Sequence, residues 1–176
     1  MDEIVINELP NSPESERAIL GGILLDNSLC DEAQRELKPG WFYTPSCRLI
    51  YDAMLELYKA DEPIDPITVA GKLQSVEGEY NSGFISTLVD GLPRIGSLKP
   101  YIRQVRSSAQ RRQIIRLAAK LAQYATDDSI PEDDVCAKGI EWLDKARQLK
   151  SGGRRPLTLE EWGDGQMERH EQYFKG

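Results

Sequence analysis

Few residues in this 176-residue chain are of a type and spacing that could do chemistry. Its single histidine, His170, has no histidine or cysteine partner at metal-ligand spacing, so zinc is not expected. No G-x-S-x-G accompanies His170 for serine–histidine catalysis, and it reads as an exposed or interface side chain. Gly21-Gly22 and Gly152-Gly153 lack the Lys-Ser/Thr that completes a phosphate-binding loop. The acidic pairs Asp31/Glu32, Asp61/Glu62, Asp127/Asp128 and Asp133/Asp134 fall at expected helix ends or in loops, where free N–H groups or water satisfy them. Cys30, Cys47 and Cys136 are odd in number and irregularly spaced, and they read as small buried or half-buried side chains in a reducing compartment. No catalytic constellation, cofactor site or metal site emerges, and an enzymatic role is the weakest reading.

One concentration of like charge stands out: Arg103, Arg106, Arg111, Arg112 and Arg116. Arg112 and Arg116 are one helical turn apart and share a face; Arg103 and Arg106 share another. Such a strip can contact nucleic acid or an acidic partner. It can also be a solvated face whose long side chains cover apolar surface. The formal net charge of -7 favours the second, because non-specific nucleic-acid binding depends on neutralising phosphates.

The elements that must position these residues begin with Leu9–Leu25. Ser12-Pro13 is a helix start, with a hydroxyl for an orphan N–H and proline at the first helical position. Ala18, Ile19, Leu20, Ile23, Leu24 and Leu25 leave almost no polar face, so this helix should be the buried centre of a bundle. Gly21-Gly22 costs roughly 1 kcal/mol per glycine in propensity, which implies either a neighbour crossing very close or a kink. Asp26 or Asn27 caps a helix over Ser28–Leu37, stopped by Pro39-Gly40. Trp41-Phe42-Tyr43 then reads as the plug of a helical core, or else as a recognition surface. Thr44-Pro45 starts a third helix with an apolar stripe, Asp65-Pro66 a short fourth, and Ser82 a brief fifth over Gly83–Val89.

From Leu98 to Thr126 there is no glycine, and Pro100 stands in the first turn. Ile102, Val105, Ile114, Ala118 and Leu121 follow a near-heptad stripe. After the turn Asp127–Pro131, a second long helix carries Val135, Gly139, Trp142, Ala146 and Leu149. Two long helices joined so briefly fold back antiparallel. A lone hairpin has little core, so Ile102, Val105, Ile114, Ala118, Leu121, Val135, Trp142 and Leu149 are the expected contacts with the head or another subunit. Ser151–Pro156 is a linker by composition, and Thr158 with Glu161 opens a last helix. Trp162, Tyr173 and Phe174 on that helix seek another domain or chain.

The expected class is all-α: an irregular small helical bundle, then a long antiparallel helical hairpin and a C-terminal linker helix. Residues 1–11 form a flexible arm, 12–97 the head, 98–149 the hairpin and 150–176 the linker and terminal helix. No run reaches the 18 apolar residues of a membrane span, and MDEIVINEL is acidic rather than a basic leader. A soluble cytoplasmic protein with no membrane partner is expected.

LPNSPESERAILGGILLDN (Leu9–Asn27), Phe42-Tyr43 with Ile50-Tyr51, PIDPITVAGKL (Pro63–Leu73), Leu88, Pro93, and Tyr101 with Arg111 occur in an order that resembles the amino-terminal domain of DnaB-type bacterial replicative DNA helicases. The resemblance spans roughly residues 9–149. It implies a helical head and hairpin that associate as dimers and as a trimer of dimers. Such a collar docks the primase C-terminal domain and helps the ring assemble on single-stranded DNA. It also implies that Leu157–Phe174 stands where a linker helix leads to an ATPase domain, to which ATP and Mg2+ belong. Cys47 occupies a place where the family commonly has histidine, so no role is carried over for that histidine. With no ATPase half in this segment, it is expected to be either an excised domain or a free-standing collar-like protein, without hydrolysis of its own. The alternative function is a stand-alone accessory protein binding single-stranded nucleic acid through Arg103–Arg116.

Overall fold

The computed structural model describes residues 8–148, apart from positions 75, 77, 79, 93 and 94. Seven α-helices run in order among them: α1 Pro13–Leu25, α2 Leu29–Glu36, α3 Pro45–Lys59, α4 Pro66–Lys72, α5 Ser82–Ser86, α6 Lys99–Ala125 and α7 Glu132–Gln148. Short 3-10 turns cover Pro39–Trp41 and Thr87–Val89. The described chain is all-α, as its patterning predicts.

The chain divides into two compact units, Met1–Ala118 and Ala119–Gly176. The division falls inside α6. The first unit holds the core, and α1 is its centre: Ile19, Leu20 and Ile23 are fully buried. Around them pack Cys30 and Ala33 of α2, Ile50, Tyr51, Met54 and Leu57 of α3, Val69 of α4 and Ile85 of α5. Phe42 is wholly buried, its ring 4.8 Å from that of Tyr51, so the middle of the three consecutive aromatics plugs the core.

The glycine pair of α1 marks a close crossing rather than a kink, since the helix is continuous from Pro13 to Leu25. The Thr87–Val89 turn lies against Gly21, where an added Cβ would stand 2.5 Å from the Leu88 carbonyl oxygen. Beside Gly22 it would stand 2.9 Å from a Leu98 methyl.

Helix starts depart from local expectation at several points. Ser12 makes no side-chain cap, and its hydroxyl is buried without a partner. Thr44 makes none either; the entry to α3 is held by Glu16 of α1, whose carboxylate accepts from Tyr43 N (2.6 Å) and Thr44 N (3.1 Å). Glu32 of α2 does the same for α6, accepting from Leu98 N at 2.8 Å and Ser97 Oγ at 2.9 Å. Carboxylates beside helix N-termini meet both orphan donors and the positive end of the dipole. The cap of α5 is Asn81, whose amide oxygen accepts from Phe84 N. Asp65 caps α4 as expected, in a complete box with Thr68.

Cys30 and Cys47 are buried as expected, whereas Cys136 is exposed on α7 rather than buried or half-buried; all three are free thiols. Burial pushes both buried thiols up from 9.0 to about 11. A thiol reagent at pH 8 is therefore expected to modify Cys136 in the native protein, and Cys30 and Cys47 only on unfolding. The unfolded thiols ionise at lower pH than the folded ones. The stability these two thiols contribute is thus full below pH 9 and falls as pH rises toward 11, and a Cys30→Ala/Cys47→Ala variant should lose that part of the slope in urea titrations.

Candidate functional site

The arginines of α6 separate into structural and surface groups. Arg112 is only 4% exposed. Its guanidinium donates to the Pro10 carbonyl at 2.7 Å and to the Trp41 carbonyl, with the Tyr43 ring 5.4 Å from its centre. Burial lowers its pKa, partly offset by the Glu16 carboxylate. Neither the solvated face nor the partner contact expected for Arg112 describes this position. It ties residues 10, 41 and 112 together inside the head, its planar guanidinium reaching two backbone carbonyls at once. Ser108 Oγ adds a 3.4 Å contact to the Asn11 carbonyl on the same strap. Arg106 is half-buried, 3.9 Å from Glu36 and 6.0 Å from the Trp41 ring centre. Arg103, Arg111 and Arg116 are exposed, and among the described residues none of them has an ion pair.

The apolar residues expected to meet the head or another subunit separate in the same way. Ile102 and Val105 are buried within the core of the first unit. They are not surface groups, because Glu32 and Gly22 draw the first turns of α6 onto the head. Ile114 and Ala118 are exposed.

In the second unit, Trp142 is buried, with Tyr124 edge-on at 5.7 Å and the Lys120 ammonium 4.7 Å above its ring. Leu121 lies against Gly139, where a Cβ would be 3.0 Å from its methyl, and Val135 is half-buried. Leu149, the linker, Trp162, His170, Tyr173 and Phe174 lie outside the described residues.

The surface that sequence reasoning missed is the other side of α7. Ile140 is 64% and Leu143 53% exposed, and Cys136 is exposed one turn before them. Residues 136, 140 and 143 share one helix face, so the signal was a second apolar stripe beside the Val135–Gly139–Trp142 one. Burial alone distinguishes the two stripes. No group of three or more His, Cys, Asp or Glu among the described residues is placed to hold a metal. Exposed aliphatic side chains such as Ile140 and Leu143 are of the kind found at partner surfaces.

Comparison with known proteins agrees with this geometry. A family model for the DnaB-like helicase N-terminal domain matches residues 8–107. The replicative DNA helicase DnaB of Geobacillus stearothermophilus is 33% identical over 126 residues, covering 69% of this chain and 28% of that protein. The replicative DNA helicase DnaC of Bacillus subtilis (strain 168) is 34% identical over 147 residues, covering 81% and 32%. The chain thus spans about a third or less of these relatives' length. Among solved structures, the N-terminal domain of DnaB helicase from Mycobacterium tuberculosis superposes with a TM-score of 0.69 at 25% identity, covering 78% of this chain and 99% of that one. The corresponding domain from Helicobacter pylori, described together with its interactions with primase, shares the fold with a TM-score of 0.57 at 24% identity, over 64% and 89%.

Proposed function

Because the chain belongs to the family of DnaB-like helicase N-terminal domains, we propose that it is the non-catalytic collar module of a replicative DNA helicase, working in the cytoplasm through self-association and primase docking. ATP and Mg2+ chemistry would belong to another segment of the parent enzyme. The observation that carries the reading is the pair Ile140 and Leu143, large aliphatic side chains one turn apart and more than half exposed on α7. Isologous pairing of two copies covers the same face on both at once, so a dimer is the first assembly this surface supports. The proposal extends to a trimer of dimers and to docking of the primase C-terminal domain, and membership of the family supports that extension.

Sedimentation of the chain at about 100 µM is expected to reveal dimers or larger species, and Ile140→Glu/Leu143→Glu is expected to return it to monomer. The chain is also expected to bind a primase C-terminal domain. A monomer under all conditions, with no primase binding, would remove the reading.

The second reading, binding of single-stranded nucleic acid, is favoured by one observation: Arg103, Arg111 and Arg116 are exposed without ion pairs. A fluorescence titration with single-stranded DNA at about 50 mM salt tests it, since phosphate contacts weaken steeply as salt rises.

A further inference from the structure

The charge of this chain is segregated along α6 and the segment that follows it. α6 holds seven Lys and Arg and no Asp or Glu, in a protein of net charge -7. The segment 127–134, which closes on the first turn of α7, holds five Asp and Glu and no base. Arg103 and Arg111 lie two turns apart on one exposed face of α6, about 12 Å along the axis. Ile114, 48% exposed, and Ala118 continue that face. Of the acids, Asp127 is engaged by Ser129, which donates to it from both N and Oγ. Asp128, Glu132 and Asp133 are exposed, and among the described residues they have no ion pair.

Like charges concentrated on one helix repel one another, and the same holds for the acidic segment, so each gains when the other covers it. We propose that the Arg103–Arg111 face of α6 docks the acidic 127–134 segment of a second copy of this chain. The contact is reciprocal: each copy gives its basic face and its acidic segment, as a two-fold interface requires. It rests on the self-association reading above and adds what sets the register of that association, which an apolar stripe alone leaves free to slide. Charge pairs of this kind steer and orient partners more than they add raw affinity.

The test uses the full chain and two variants, Arg103→Glu/Arg111→Glu and Asp128→Lys/Asp133→Lys, with circular dichroism verifying that each keeps its helices. At about 50 mM salt each variant alone is expected to associate about tenfold more weakly than the parent, and the parent itself should weaken on going to about 500 mM. Mixing the two variants is expected to restore association, since every contact in the mixed dimer again joins opposite charges. Three results would overturn the contact. Parent dimers that neither charge reversal weakens leave self-association standing without it. Variants that weaken singly but are not restored by mixing place the charges elsewhere. Loss of single-stranded DNA binding in the arginine variant, with its self-association unchanged, assigns the face to nucleic acid. A parent chain that never associates instead removes the self-association reading itself.

Discussion

Replacing Glu16 by alanine is expected to destabilise the protein by about 3–5 kcal/mol, the range for stripping a buried charge of its counterpart. The carboxylate is 1% exposed and accepts from both Tyr43 N and Thr44 N at the entry to α3. Alanine leaves those two part-buried N–H groups without their acceptor. It also removes the negative charge that offsets the buried Arg112 guanidinium. Glu16→Gln keeps the shape and one acceptor oxygen, so its loss should be smaller. Urea midpoints at unchanged m-value give the numbers. In a cycle with Arg112→Met, the two losses should fall short of adding, because the uncompensated guanidinium is gone in the double variant. A Glu16→Ala midpoint equal to that of the parent would refute the capping role.

The second large effect is at Gly21. Gly21→Ala inserts a methyl against the Leu88 carbonyl oxygen at 2.5 Å and against the Leu92 side chain. The obstacle is backbone, so α1 and the Thr87–Val89 turn must move apart. Overpacking of this kind costs about 1–3 kcal/mol, and the roughly 1 kcal/mol of helix propensity gained from alanine offsets only part of it. Gly71 provides the control. It lies in α4 with nothing within 4 Å of an added Cβ, so Gly71→Ala should stabilise by about 0.5–1 kcal/mol. Thermal melts of the two variants are therefore expected to shift in opposite directions. A Gly21→Ala melt equal to the parent's would mean that the crossing yields freely.

Much of the head was readable because its signals are local. Asp65-Pro66 fixed the start of α4, since a cap and its first-turn N–H groups are neighbours in the chain. The apolar stripe of α3 placed Ile50, Met54 and Leu57 in the core. Local chemistry misled at Ser12 and Thr44, where a plausible hydroxyl makes no cap. The groups that hold α3 and α6, Glu16 and Glu32, come from other helices, and nothing at positions 44 or 98 announces them. The surface was read least well. Arg112 and Arg116 share a helix face, yet one is buried and the other exposed. Ile140 and Trp142 lie two residues apart on α7, yet the tryptophan is the buried one.

By itself the sequence determined the all-α class, the turns between helices and the family, because helical periodicity, caps and motif order are properties of residues near one another in the chain. Tertiary structure alone decided which faces of those helices are covered. It drew Ile102, Val105 and Arg112 into the head and left Arg103, Arg111, Ile140 and Leu143 in water. Burial depends on what another segment brings to a face, and for Arg112 those segments are the carbonyls of residues 10 and 41, far away in the chain.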